Sequence, residues 1–317
     1  MLLFYAADMH GSERVWRKFL NAAAFYEADV LILGGDVTGK ILVPVVEEKP
    51  GRWAAAVFGK VERVKKPAQL EELEKRLRFN GYYPYRCSPE ELGRIDADVA
   101  YRMEVMDRLM VETAARWAAI ADEKLQGTSV MVYGMAGNDD TQDVDDALRG
   151  EHLVNVESSV TRVGDYQLLS CAWGNPSPWD TPRELPEDEL LAKFEGLAAG
   201  LAPDVPAIFN LHIPPYDSGL DTGPEVAGVD ADGMVIVKKV GGTPQQAPVG
   251  SRAVRTFVER HQPVLGLHSH IHESKGATKI GRTLCLNPGS SYQDGGLDGA
   301  LVRVEGDEVV SYQLVSG

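Results

Sequence analysis

The chain has 317 residues, 44% hydrophobic and 25% charged, which is ordinary for a soluble globular protein with a full core. With 47 acidic against 32 basic residues the net charge is −15, a surface that repels nucleic-acid phosphates and anionic lipid. Neither nucleic acid nor a membrane is therefore expected as a partner, whereas a small anionic ester remains admissible, because a bound cation dominates its local field. Cys87, Cys171 and Cys285 are odd in number, far apart and outside any CxxC spacing, so they suggest neither a disulfide framework nor a thiolate zinc site. The start, MLLFYAADMHG, lacks a basic n-region and reads as a buried strand rather than a signal peptide. No run of about 18 apolar residues occurs, and a cytoplasmic location is expected.

In chain order, Leu2 to Ala7 is an apolar run expected of a strand buried on both faces, and it stops at Asp8-Met9-His10-Gly11. Ser12 can cap a helix whose apolar positions Trp16, Phe19, Leu20 and Ala23 recur at helical spacing. A second run, Asp29 to Leu33, ends at Gly34-Gly35-Asp36. This β-α-β pattern predicts parallel strands that deliver polar residues at their carboxyl ends, where open α/β sheets place their sites.

From about residue 41 to 127 the texture changes. A hairpin-like stretch has Trp53 to Phe58 as its clearest strand, and Pro67 opens a charged helix stopped by Asn80-Gly81. Ser88-Pro89-Glu90-Glu91 is a capping box opening a helix that could run to Leu125. Along it Leu92, Ile95, Val99, Met103, Met106, Met110, Thr113, Trp117 and Ile120 form one stripe. The region reads as a helical insertion that packs on the same domain, closes as a lid, or makes a contact between copies of the chain in a homo-oligomer.

Beyond it, Ser129 to Tyr133 is a third buried strand leading into Gly137-Asn138-Asp139-Asp140. Strands near Leu153, Val160 and Tyr166 to Ala172 precede a Pro/Trp-rich loop, Gly174 to Pro186, and another helix. Ala207 to Leu211 is a strand ending at His212. Arg252 to His261 is helical, and Val264 to Leu267 runs into His268-Ser269-His270-Ile271-His272. His268, His270 and His272 alternate along an extended segment, so His270 shares a strand face with both others.

Asp8, His10, Asp36, Asn138, His212, His270 and His272 thus each stand at or just past the end of an expected buried strand. Taken singly, His10 reads as a loop histidine, Asp36 as a turn or cap, Asn138 as an Asx-turn and His212 as structural. Together, carboxylate, imidazole and carboxamide groups suit Mn, Fe, Zn, Co or Ni, and their convergence without a cation would stack desolvation and repulsion costs. Gly35 and Gly137 fit as positions that let the backbone turn closely.

The blocks AADMHGS, LGGDVTG, AGNDD, NLHIPP, SHIHES and LNPGS, in that order, resemble the calcineurin-like metallophosphoesterases. The resemblance implies an α/β fold, a four-layer α/β/β/α sandwich of two mixed sheets, here with the helical insertion. It implies two divalent metal ions, manganese favoured, with Asp8, His10 and His272 on the first, Asn138, His212 and His270 on the second, and Asp36 bridging. A metal-bridging hydroxide would then attack phosphorus in line. Family register at Glu273 and at Asn287-Pro288-Gly289-Ser290 selects His270 and His272 over His268. Three departures stand out. Asp139 replaces the histidine that in many members assists the leaving group, Ser269 replaces a glycine, and Val37-Thr38-Gly39 follows the bridging aspartate.

The implied activity is hydrolysis of a small phosphate ester, phosphodiesterase before phosphomonoesterase, with Asp36, Asn138 and Asp139 at the chemistry. The alternative is a scaffold or regulatory protein that keeps the fold without useful turnover. Trp173, Asn175, Trp179 and Tyr216 lie on loops near the expected site and are candidates for the substrate pocket.

Overall fold

The structure is a computed structural model describing residues 1–57, 59–230 and 235–317. The first half carries strands β1 (Leu2–Ala6), β2 (Val30–Gly34), β3 (Ile41–Lys49), β4 (Arg52–Val57), β5 (Lys60–Val64), β6 (Tyr82–Cys87) and β7 (Met131–Met135). It also carries helices α1 (Glu13–Phe25), α2 (Pro67–Phe79), α3 (Pro89–Ala97) and α4 (Val99–Leu125). The second half follows with α5 (Val144–Ala147), β8 (Leu153–Asn155), β9 (Ser159–Val163), β10 (Tyr166–Cys171), α6 (Glu187–Ala198) and β11 (Ala207–Leu211). Six short strands, β12–β17, lie within 222–248, and α7 (Arg252–His261), β18 (Leu265–Leu267), β19 (Gly276–Ile280), β20 (Thr283–Asn287), β21 (Asp298–Glu305) and β22 (Glu308–Ser316) complete the chain.

Two six-stranded sheets, in the orders β22-β21-β1-β2-β7-β8 and β19-β20-β18-β11-β10-β9, stack face to face. In the first, β1, β2, β7 and β8 are parallel and β21 and β22 antiparallel; in the second, β10, β11, β18 and β20 are parallel, flanked by antiparallel β9 and β19. Leu3, Tyr5 and Ile32 meet Leu168, Ile208, Leu265 and Leu286 between the sheets. The residues pointing the other way from the first sheet, Phe4, Leu31 and Leu33, are covered by α1 and α4, and Leu169, Phe209 and Leu211 of the second by α6 and α7. This is the expected α/β/β/α sandwich. The strands read as continuous apolar runs because both faces are buried.

The segment read as a helical insertion holds, besides its helices, a four-stranded sheet β5-β4-β3-β6 with its own small core of Val43, Val45, Ala55, Leu70, Leu73 and Leu77. The strand expected over Trp53 to Phe58 is β4, and Phe58 lies outside the described residues. The single long helix expected from Ser88 divides at Asp98, whose backbone is extended (φ −116°, ψ 101°) and whose carboxylate accepts from Tyr101 N to cap α4. The capping aspartate offers the backbone a local alternative to continuing the helix. Downstream the stripe behaves as expected: Met106, Met110, Thr113, Trp117 and Ile120 are buried, whereas Val99 and Met103 are exposed. Trp117 stacks on Trp16 of α1 at 5.1 Å and 6°, so the second half of α4 is an outer layer of the sandwich itself. Among the described residues no helix is long and apolar enough to cross a membrane.

Candidate metal centre

The seven candidate ligands emerge from five loops at the carboxyl ends of parallel strands. Asp8 and His10 follow β1, Asp36 follows β2, Asn138 follows β7, His212 follows β11, and His270 and His272 follow β18. The first two loops continue the β1–β2 pairing beyond the sheet, through Asp8 N to Gly35 O (3.0 Å), His10 N to Asp36 O (3.0 Å) and Gly11 N to Val37 O (2.8 Å). Four of these candidates sit in left-handed backbone that side-chain-bearing residues rarely adopt: Asp8 (φ 52°), His10 (φ 42°), Asp36 (φ 48°) and His270 (φ 70°). Such strain persists only where the surroundings hold it, and it collects at functional sites.

Ligand atoms of Asp8, His10 and His272 lie within 4.8 Å of one another, as do those of Asp36, His212 and His270. Asp36 faces both groups, with Oδ2 3.7 Å from His10 Nε2 and Oδ1 3.4 Å from His212 Nε2. His10 Nε2 and His272 Nε2 converge to 3.2 Å. His212 Nδ1 is 2.8 Å from Gly34 O and 2.9 Å from Ser269 Oγ, which turns Nε2 toward the carboxylates. Asn138 Nδ2 donates to Thr181 Oγ1 (2.9 Å), and Thr181 Oγ1 donates to Glu184 (2.7 Å), which fixes the amide with Oδ1 free.

The donor set fits divalent cations. Asn138 Oδ1 and His212 Nε2 are buried with no hydrogen-bond partner, a costly state unless a cation takes the lone pairs. The electrostatics of the cluster carry the same pressure. Burial lifts the Asp8 carboxyl to about 7 against the opposing His212. Burial acts to raise Asp36 too, but His212 and His10 beside it hold it well below the usual carboxylate range. Burial opposes charge on His212, yet Asp36 and Asp8 bring it up to about 10, while burial and the neighbouring His212 push His270 down to about 3.

Several residues that matter here carry no distinctive sequence signal. Asp140, fully buried, accepts from Val37 N, Thr38 N, Thr38 Oγ1 and Gly137 N, and so ties the Asp36 loop to the Asn138 loop. Arg183, 1% exposed, donates to Asp140 O, Thr141 O and Asp145, clamping the far side of the same loop. Tyr292 packs its ring 4.5 Å from that of His10. Only Asp140 had a visible hint, as the third member of the Asn-Asp-Asp run.

Three expectations need correction. The segment after β18 is a loop rather than an extended run, since His270 turns left-handed and Ile271 N bonds back to Ser269 O. His268 consequently points away from His270 and is buried against the carbonyls of Leu211 and Ile213. Trp173 packs at the edge of the α6–α7 core beneath Lys193, and Tyr216 lies under the Arg252 guanidinium at 3.8 Å, so neither lines the cleft over the ligands. Asn175 and Trp179 do line it. That cleft holds about 590 Å³ and is lined by Asp36, Asn138 and His272 together with Pro176, Pro178, Trp179, Pro224 and Ile271. His152 and His261, outside the motif blocks, bond to Val130 O and Glu195 and take no part.

The layer order is that of the four-layer α/β/β/α sandwich that the resemblance to the calcineurin-like metallophosphoesterases implies. Among solved structures the chain is similar to TT1561 of Thermus thermophilus, with a TM-score of 0.55 and 13% identity over 100% of this chain and 97% of that one. It also aligns with Yfce, a phosphoesterase from E. coli, at a TM-score of 0.33 and 12% identity over 99% and 98% of the two chains. In sequence, 160 residues are 29% identical to the uncharacterized protein MJ1162 of Methanocaldococcus jannaschii. That match takes in 50% of this chain and 63% of the relative, so the chain spans less than two thirds of that protein's length. No protein-family model matches the chain.

Proposed function

We propose that the chain is a metal-dependent hydrolase of a small phosphate ester, working with two divalent cations, manganese first among them. The observation that carries this reading is Asp36, whose two oxygens face two separate ligand groups, one toward His10 and the other toward His212. Asp8, His10 and His272 would hold one cation, Asn138, His212 and His270 the other, and Asp36 would touch both. When bound, such a pair supplies Lewis-acid charge at the phosphoryl oxygens and acidifies water.

The chain's own residues do the rest. Asp140 and the Asp8–Gly35 pairing hold the loops in register. Thr181 and Glu184 aim the Asn138 carboxamide, and the exposed apolar wall of Pro176, Pro178 and Trp179 offers a surface for the alcohol portion of the ester. Asp139 and Glu273 add negative charge to the cleft, which favours a diester over a monoester because it brings one negative charge fewer.

The test is hydrolysis of bis-p-nitrophenyl phosphate and p-nitrophenyl phosphate by manganese-loaded protein, before and after chelation. Turnover that vanishes on chelation, returns with manganese and falls at least about a hundredfold in Asp36→Asn is expected. Turnover indifferent to both perturbations would sink the proposal.

A further inference from the structure

The departure at Asp139 leaves the cleft without the imidazole that the family resemblance would place there, and the structure shows what stands in its neighbourhood. Lys40 Nζ lies 2.6 Å from Asp139 Oδ2, in a pair whose carboxylate side chain is 14% exposed and whose lysine is 54% exposed. Asp139 is itself tied to the centre. Its backbone N–H donates to Asp36 Oδ1 (3.2 Å), and a carboxylate oxygen lies within 4.8 Å of the His10 and Asp36 ligand atoms. Lys40 is also the only lysine or arginine among the described residues lining the cleft, which otherwise presents Asp36, Asp139 and Glu273.

We infer that Lys40 is a substrate-binding residue: its ammonium contacts an oxygen of the phosphoryl group, with Asp139 acting as the strut that holds it there. The inference rests on the phosphoesterase reading and adds a residue to it. An ammonium has three N–H donors, and the salt bridge uses one, so two remain for an anion in the cleft. Gly39, immediately before Lys40, bonds through its N–H to the buried Tyr83 hydroxyl at 2.7 Å, which anchors the lysine's backbone on strand β6. The chain ahead of it is fixed as well, since Val37 N and Thr38 N both donate to Asp140. A flexible side chain on a rigid base can reach the ester without moving the metal ligands. No proton leaves Lys40 in this role. It supplies fixed positive charge where charge accumulates on oxygen, in a cleft whose walls exclude part of the solvent.

A plainer role is open to the same lysine: neutralising Asp139 so that this carboxylate does not repel an anion. The two roles part in a double-variant cycle. Inorganic phosphate is titrated calorimetrically into manganese-loaded parent, Lys40→Ala, Lys40→Arg and the Lys40→Ala/Asp139→Asn double variant, with manganese content measured for each. A direct contact predicts that Lys40→Ala weakens phosphate binding by about tenfold or more, that Lys40→Arg retains most of the affinity, and that the double variant stays as weak as Lys40→Ala. Manganese content should be equal throughout. Parent-like phosphate affinity in Lys40→Ala, or recovery of parent affinity in the double variant, overturns the assignment while leaving the hydrolase reading intact if the parent cleaves aryl esters. A parent that binds manganese yet neither binds phosphate nor cleaves any aryl ester overturns both.

Discussion

Gly137 is the point where the two central loops come closest, and alanine there tests whether that approach builds the site. A Cβ at position 137 would lie 1.9 Å from Asp36 Oδ1, 2.1 Å from Asp36 N and 2.7 Å from Asp36 Cα. Two of those three atoms are backbone, in a residue already held at φ 48° and bonded through its carbonyl to His10 N, so no rotamer change relieves the clash. The Asn138 loop must move by something near ~1 Å, a misplacement that costs on the order of a hundredfold in rate. Overpacking against rigid neighbours costs about 3 kcal/mol, which corresponds to roughly 4–5 °C in thermal midpoint for a chain of this size. Gly93 in α3 is the control: a Cβ there meets nothing within 4 Å, so Gly93→Ala should be neutral or stabilising by up to ~1 kcal/mol. The assay is bound manganese by elemental analysis alongside kcat/KM on an aryl diester and the thermal midpoint. Gly137→Ala with parent-like manganese content and turnover within about twofold of the parent would refute the close approach as the organising contact.

Three further outcomes follow from the same geometry. Thr181→Val removes the hydroxyl that accepts from Asn138 Nδ2, and should lower manganese affinity by about ten- to a hundredfold with little loss of stability; unchanged affinity in a metal titration would contradict it. Burial acts to raise Glu184, but hydrogen bonds from Ser177 and Thr181 hold it below the ordinary value of 4.5. Because the folded value is the lower one, its contribution to stability is present above pH 4.5 and lost as pH falls through the folded value. Glu184→Gln should therefore flatten the acid limb of a stability-versus-pH curve below that point, and an unchanged limb would remove Glu184 from the account. Trp117→Ala deletes a fully buried ring stacked on Trp16, an expected cost of about 3–5 kcal/mol or roughly 4–8 °C in midpoint by thermal unfolding. A shift below about 2 °C would place α4 outside the outer layer.

What could be read before any coordinates were the ends of strands. Doubly buried strands announce themselves as unbroken apolar runs, so Asp8, Asp36 and His212 stood out as the first hard polar groups after Leu2–Ala6, Val30–Gly34 and Ala207–Leu211. The insertion's sheet was harder to see. Its strands β3 and β5 carry charged residues such as Glu47, Glu48 and Glu62, and its one parallel pairing, Ile41 of β3 with Tyr82 of the edge strand β6, crosses α2 and forty residues of chain. Asp140 was legible only as a turn residue, because the donors it gathers from Val37 and Thr38 lie a hundred positions earlier. Trp173 and Tyr216 misled because a loop aromatic finds packing partners, here Lys193 and Arg252, as readily as a substrate.

The two-sheet arrangement also explains why the candidate ligands carry so much backbone strain. Asp8, His10, Asp36 and Asn138 hang from the first sheet, whereas His212, His270 and His272 hang from the second. Parallel strands point their carboxyl ends along the sheets, not across the gap between them, so each segment must turn sharply within two or three residues of its strand to face the other sheet. Left-handed backbone at Asp8, Asp36 and His270 makes that turn. The cost of order 1–3 kcal/mol at each is borne by the apolar contacts between the sheets and by cross-sheet bonds such as His270 N to Asp8 and His212 Nδ1 to Gly34 O. Ligand spacing is thereby set by how the two sheets pack, and the centre belongs to neither sheet alone.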